Sequence, residues 1–177
     1  MAEQQRRPRQ GAPQAEEKQF DERVVYVNRV ARVVKGGRRF RFQALIVIGD
    51  HKGRVGIGVS KGADVQAAVT KATEVAKKNL IKVPIYRATL THEVEGKVGG
   101  ARILIMPAAP GTGLIAGGVV RTVLEVAGIE NALSKSLGST NRINMAYAAV
   151  AALQRSEPAN KWITSKKKAP AAKVEAK

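Results

Sequence analysis

The sequence predicts an α+β protein made of two small α/β domains, the first a three-stranded antiparallel sheet with one helix, the second a compact unit containing a βαβ arrangement. Three observations carry the prediction. Two successive stretches each contain strand-like runs and then apolar spacings of three and four; Val83-Pro84 breaks the chain between them; and the positive charge concentrates in the first stretch. The folded parts are placed at residues 23–83 and 84–160. An N-terminal arm (1–22) and a basic C-terminal tail (161–177) flank them, and both are expected to be disordered because they carry too little apolar surface to offset the entropy of ordering.

Val24 to Val34 is rich in β-branched residues and reads as a strand, and Lys35-Gly36-Gly37 supplies a turn whose glycines tolerate positive φ. The second strand alternates, with Phe40, Phe42, Ala44, Ile46 and Ile48 on one face and Arg39, Arg41 and Gln43 opening the other. After a turn at Gly49-Asp50-His51-Lys52-Gly53, Val55, Ile57 and Val59 repeat the alternation and complete a meander. From Asp64, a candidate N-cap, the period changes: Val65, Ala68, Val69, Ala72, Val75, Ala76 and Leu80 form one face of a helix, with Lys71, Lys77 and Lys78 on another.

The second domain is read as strands at Tyr86–Glu93 and Ala101–Pro107 joined by a turn over Gly96–Gly100, then a glycine-rich run, Gly111 to Gly118, leading into a helix near Val119–Ala127 that Gly128 stops. Asn131 to Leu137 reads as a short strand. A last helix, capped by Ser139 or Thr140, places Ile143, Ala146, Tyr147, Val150 and Leu153 on one face.

With 44% hydrophobic but only 4% aromatic residues, the cores must be small and aliphatic. Thirty-one Lys and Arg against fourteen Asp and Glu give a formal charge of +17, which implies a polyanionic partner. Residues 23–82 hold fourteen of the cations against three acids, and residues 161–177 hold six against one. No run of about 18 apolar residues is available to cross a membrane and no signal-peptide core opens the chain, so a soluble, unexported protein with no membrane partner is expected. Without cysteine there is no disulfide or thiolate chemistry; His51 and His92 stand 41 positions apart with no ligand-spaced companion, so no metal and no cofactor is expected.

The strongest local signal is a hairpin carrying Arg29, Arg32, Lys35, Arg38, Arg39 and Arg41 around Gly36-Gly37 with no intervening acid. Long cationic side chains neutralise phosphates, and glycines let a backbone come close. The competing reading is an edge hairpin protected from aggregation by its charge. Lys52, Arg54 and Lys61 extend the candidate RNA-binding set. The Gly111–Gly118 run resembles a phosphate-binding turn but lacks the Gly-Lys-Ser/Thr ending of a P-loop, so close packing against protein or RNA is the better reading. Glu93, Glu95, Glu125 and Glu130 are scattered and read as surface or ion-pair groups; no catalytic residues are assigned and no enzyme is expected.

Particular strings go further. Val27-Asn28-Arg29-Val30, Val33-Val34-Lys35-Gly36-Gly37-Arg38-Arg39-Phe40, Val47-Ile48-Gly49-Asp50 and Gly53-Arg54-Val55-Gly56 resemble the first-domain signature of the bacterial small-subunit ribosomal protein S-five family. Gly111 to Gly118, Leu124-Glu125-Val126-Ala127-Gly128 and Gly138-Ser139-Thr140-Asn141 resemble its second domain, so the likeness covers roughly residues 23–157. It implies a first domain related to the double-stranded-RNA-binding fold and a second with a left-handed βαβ crossover. It also implies a structural constituent of the small ribosomal subunit, in the cytoplasm, that binds small-subunit rRNA and supports assembly and decoding accuracy. By the same resemblance Arg29, Arg32, Lys35, Gly36, Gly37 and Arg38 take the rRNA-hairpin role, near the spectinomycin site. The segment around Gly113 and Arg121 faces protein S-four, protein S-eight lies alongside, and with proteins S-three and S-four the chain borders the channel by which messenger RNA enters. Many relatives place Pro where this chain has Arg142. A free-standing double-stranded-RNA-binding regulator would share the hairpin but not the second-domain strings, and a small-molecule kinase, suggested by fold alone, would need a nucleotide loop that is not found.

Overall fold

The structure, a computed structural model, describes residues 20–158. In chain order the elements are β1 (Asp21–Val34), β2 (Gly37–Gly49), β3 (Arg54–Gly62), α1 (Val65–Lys78), β4 (Leu80–Lys82), β5 (Val94–Val98), β6 (Ala101–Pro107), β7 (Leu114–Ile115), α2 (Gly118–Ala127), β8 (Ala132–Ser136) and α3 (Arg142–Gln154). They make two α/β domains around two four-stranded sheets, ordered β1-β2-β3-β4 and β5-β6-β8-β7. Every named pair is antiparallel except β7 with β8, which run parallel and are joined through α2, giving the expected βαβ arrangement. No helix among the described residues is long and apolar enough to cross a membrane.

The first sheet has one strand more than the expected three. After Asn79 ends α1, Leu80–Lys82 turns back along β3 and pairs Leu80 with Gly56, a run too short to show any period in the sequence. The strand expected at Tyr86–Glu93 is absent. Arg87 (φ 51°) and Ala88 (φ 61°) are both left-handed, so the chain makes a tight turn there, closed by a Tyr86–Thr89 bridge, and the strand starts only at Val94. Gly96, expected in a turn, therefore lies inside β5, and Gly99-Gly100 makes the turn.

β2 explains how so few aromatic residues suffice. Ala44, Ile46 and Ile48 pack on Ala68, Ala72 and Ala76 of α1, while Leu45 and Val47 on the opposite face join a larger cluster that includes Val123, Val126 and Ile129 of the second domain. The strand is thus buried on both faces, and each of its fully buried Leu, Ile and Val side chains contributes roughly 1.5–3 kcal/mol. The helices sit close. A Cβ on Gly58 of β3 would lie against the Ala72 carbonyl and 2.7 Å from the Ala76 nitrogen, and one on Gly96 of β5 would lie 2.6 Å from the Ala152 nitrogen of α3. Bare strand backbone meets an alanine face in both domains. This is why α3 buries Ala148, Ala149 and Ala152 beside Ala146 and Leu153 of the expected face; Ile143 and Val150 of that face are partly buried against the same cluster, and Tyr147 alone is left exposed. Its N-cap is Asn141, whose side chain accepts from the Ile143 N–H at 3.1 Å, rather than Ser139 or Thr140.

The two domains are joined by more than the shared apolar cluster. The turn between β2 and β3 lies on the C-terminal end of α2, where the last carbonyls of a helix lack intrahelical partners. His51 N–H donates to Val126 O at 3.1 Å and Gly53 N–H to Ala127 O at 2.9 Å, while His51 Nδ1 lies 2.8 Å from Glu125 O. Arg23 reaches across from β1 to the Glu125 carboxylate at 2.5 Å. Gly128, at φ 90°, closes the helix in a place where any Cβ would meet the His51 carbonyl.

Candidate nucleic-acid interface

The hairpin outruns its own sheet. Pairing of β2 with β3 ends at Phe42 and Gly62, but β1 and β2 stay paired out to Val34 and Gly37. The free ribbon therefore extends about 15–20 Å past the sheet, five or six residues at about 3.3 Å each. Residues 31–41 are all exposed. Its tip is built on Gly36 at φ 89°, a left-handed position. Phe40, expected in the core, is 47% exposed because the sheet partner has run out at its level. It serves instead as a platform: the Arg29 guanidinium stacks 3.8 Å from its ring centroid, an arrangement that restricts where that cation can point.

Four cations are held by carboxylates. Arg23 is held by Asp21 and Glu125, Lys77 by Glu22 at 3.5 Å, Arg102 by Glu95, and Arg54 by Asp50 at 2.6 Å. Burial alone would raise the pKa of the Asp50 carboxyl, but hydrogen bonds from the Arg54 side chain and from the backbone N–H groups of Lys52 and Arg54 outweigh it and hold the group below its ordinary value. The Arg102 guanidinium likewise holds Glu95 below its usual range. Among the described residues no carboxylate lies within ion-pair distance of Arg29, Arg32, Lys35, Arg38, Arg39, Arg41, Lys52 or Lys61. So the ribbon brings six cations together without counter-charge, Lys52 stands on the turn after β2, Lys61 at the end of β3, and Arg54 is committed to Asp50. The arrangement can neutralise a row of phosphates; it offers no acid and base poised over a common centre.

The glycine-rich run has a different use from anion binding. The N–H groups of Gly111 and Gly113, which a phosphate would need, both donate to the Asn131 side-chain oxygen at 3.0 Å, and Asn131 is only 7% exposed. Its own carbonyl accepts from the Thr89 hydroxyl at 2.6 Å, which ties the run to the turn after Tyr86. Arg121 on α2 donates to Leu114 O at 3.0 Å and, with His51, Leu114 and Glu125, lines a cleft of about 480 Å³ where the domains meet. Of the two residues predicted to face a neighbouring protein, Arg121 lies at the interdomain cleft, and Gly113, bonded to Asn131, directly precedes Leu114 of its lining.

Some residues that shape this surface are not legible in the sequence. Asn131 follows Glu130 between α2 and β8, where nothing in the sequence marks it for burial. Arg142, the first residue of α3, stacks 4.0 Å from the Tyr26 ring of β1 and so bridges the domains, although 116 positions separate them. His51 reads in the sequence as a surface or structural histidine, and nothing there points to its place on the end of α2.

Two family models match in succession: Ribosomal protein S5, N-terminal domain, over residues 20–84, and Ribosomal protein S5, C-terminal domain, over residues 96–164. Together they cover most of the chain. The chain belongs to the ribosomal protein S5 family. Members of the S5 family are structural, non-enzymatic proteins of the small ribosomal subunit that bind rRNA and neighbouring ribosomal proteins, and the chain is ribosome-associated accordingly. For an S5 protein the uncompensated ribbon has an immediate use, since rRNA offers the dense phosphate charge that six exposed cations require.

Proposed function

We propose that the β1–β2 ribbon is the principal rRNA contact, with Arg29, Arg32, Lys35, Arg38, Arg39 and Arg41 on phosphates and Gly36-Gly37 allowing close approach of the tip. Lys52, Lys61 and Arg54 flank it, Arg54 sharing its guanidinium with Asp50. The observation that supports this most is the gathering of six cations on one exposed ribbon, with no carboxylate among the described residues within ion-pair distance of any of them. The surface around Gly113 and Arg121 meets protein S-four, with protein S-eight alongside. In this position the protein supports decoding accuracy beside the channel by which messenger RNA enters, near the spectinomycin site, in a cytoplasmic ribosome. The division at Val83-Pro84 separates the rRNA-gripping unit from the protein-facing one; the basic tail (161–177) lies outside the described residues, as does the N-terminal arm (1–22) except for Phe20 and for Asp21 and Glu22, which open β1.

The test is binding of the full chain to transcribed small-subunit rRNA across a salt series. Wild type should show log affinity falling steeply and linearly with log salt, and replacing Arg32, Lys35, Arg38 and Arg39 by Ala should make the slope shallower by about 0.9 for each phosphate no longer neutralised. An unchanged slope in that variant would remove the ribbon from the rRNA interface. A wild-type affinity indifferent to salt would remove phosphate binding altogether.

A further inference from the structure

Where β3 stops at Gly62 and β2 runs on, the sheet has a notch, and α1 passes over it. The cleft there, about 260 Å³, is lined by Arg39 and Arg41 from β2, Lys61 from the end of β3, Lys71 from α1, and the ring of Phe40. Gly62 makes the convergence possible: a Cβ there would lie 2.5 Å from the Ala68 nitrogen, so only glycine lets the end of β3 come against the helix backbone and set Lys61 beside Lys71. Four cations from three elements thus surround one concave site, no acidic residue lines it, and none of the four is within ion-pair distance of a carboxylate among the described residues. Like charges are gathered in this way only at a cost in self-repulsion, which an anionic occupant offsets.

We infer that this notch is a phosphodiester-binding cradle, separate from the hairpin tip, in which Lys71 of α1 and Lys61 of β3 close on the backbone of the same RNA that the ribbon contacts. The inference rests on the rRNA-binding reading above and adds to it a second point of grip at the root of the ribbon. Its chemistry is that of phosphate recognition: guanidinium groups on Arg39 and Arg41 suited to paired phosphate oxygens, and the ammonium groups of Lys61 and Lys71 as point charges. A strand edge could instead take up an acidic peptide by main-chain pairing. RNA is favoured because Arg39 and Arg41 are shared with the ribbon, so one continuous polyanion satisfies both sites.

The experiment uses full-length wild type, Lys61→Ala, Lys71→Ala and, as an equal change of charge on β5 of the other domain, Lys97→Ala. Lys61, Lys71 and Lys97 are all exposed, so melting temperatures should be unchanged. With transcribed small-subunit rRNA as the probe, Lys61→Ala and Lys71→Ala should each weaken binding roughly 8-fold near 0.1 M salt and reduce the salt slope by about one, while Lys97→Ala leaves both as in wild type. Steep wild-type binding with equal behaviour in all three variants would overturn the cradle and leave the rRNA reading standing. Normal binding of naked rRNA by Lys61→Ala and Lys71→Ala, combined with failure to enter reconstituted small subunits, would overturn it in favour of an acidic protein segment. Loss of salt-dependent binding in wild type itself would sink both readings together.

Discussion

Replacing Gly36 by valine at the tip of the ribbon separates the grip on RNA from the stability of the fold. At φ 89° an L-residue is disfavoured by about 1–2 kcal/mol, and a β-branched one lies at the upper end. No heavy atom lies within 4 Å of the added Cβ, so the whole cost is in the backbone. Because residues 31–41 are exposed, the distal ribbon can relax or fray without uncovering either core, and strain of this kind is released locally rather than carried into global unfolding. A unit of this size loses roughly 3 °C in melting temperature per kcal/mol, so Gly36→Val should lower the transition by less than about 3 °C. Gly58→Ala provides the contrast. Its Cβ would press on the Ala72 carbonyl and lie 2.7 Å from the Ala76 nitrogen, and overpacking against backbone costs about 1–3 kcal/mol, a fall of roughly 3–9 °C. Binding should show the reverse order. A reshaped tip moves Lys35 and Arg38, and giving up one phosphate weakens rRNA binding roughly 8-fold near 0.1 M salt, while folded Gly58→Ala binds as wild type. Calorimetry and filter binding on the three proteins decide the matter. A fall in melting temperature for Gly36→Val as large as for Gly58→Ala would show that the distal ribbon unfolds with the core, and unchanged rRNA affinity would show that tip conformation has no part in binding.

Asp50 has a folded-state pKa below its ordinary value, so its contribution is fully present above the unfolded-chain value near 3.8 and is lost as pH falls through the lower folded value. Asp50→Asn should accordingly melt lower than wild type by a constant margin from pH 5 to 7, and the margin should shrink below about pH 4; a margin independent of pH would refute the role of the carboxylate. Arg142→Pro should leave α3 intact, since Arg142 is its first residue behind the Asn141 cap and proline is accepted there, but should forfeit the stack on Tyr26, about 0.5–1 kcal/mol. A double-mutant cycle with Tyr26→Leu measures that coupling, and additive effects would refute it. Gly128→Ala combines a left-handed φ of 90° with a Cβ driven into the His51 carbonyl, so calorimetry should show a loss of more than about 2 kcal/mol. A smaller loss would show that the joint between the domains gives way cheaply.

What is legible in the sequence is whatever repeats. The alternation through Ala44, Ile46 and Ile48 and the spacing of Ala68, Ala72 and Ala76 are local periods, and they mark the strand, the helix and the two faces that pack together, though not the burial of Leu45 and Val47 on the other side of β2. The Gly36-Gly37 tip and its surrounding cations are legible for a related reason, since turn chemistry and charge are properties of single residues. Elements fixed from outside are not. β4 exists because β3 offers it an edge, and Arg87 and Ala88 take left-handed conformations while the Ala88 carbonyl accepts from the Glu130 and Asn131 N–H groups. Alternation predicts Phe40 to be buried, but alternation reports which side of a strand a residue faces, not whether anything covers that side. In the candidate site, position along the ribbon is readable and convergence is not: Lys71 sits ten residues beyond Lys61 and meets it only because Gly62 brings strand and helix together.

The placement of the cations on β2, rather than on a loop, has a mechanical consequence. One strand of thirteen residues does two jobs: its inner half, Ala44–Ile48, is clamped between α1 on one face and the second domain on the other, and its outer half carries Arg38, Arg39 and Arg41. A flexible cationic loop would bind rRNA too, but it would lose conformational freedom on binding. Here the ribbon leaves the core as a continuation of its most buried strand. The turn at the far end of that strand, Asp50–Gly53, is hydrogen-bonded to the last carbonyls of α2, the helix that bears Arg121. A continuous path of backbone therefore joins the root of the ribbon, along β2 and through the His51 turn, to α2 and the surface proposed to meet a neighbouring protein. Gly128, whose missing Cβ leaves room for the His51 carbonyl, stands in the middle of that path. The two backbones meet there with no side chain between them, so any residue larger than glycine at position 128 would push the turn and the helix end apart and break the hydrogen bonds that join them.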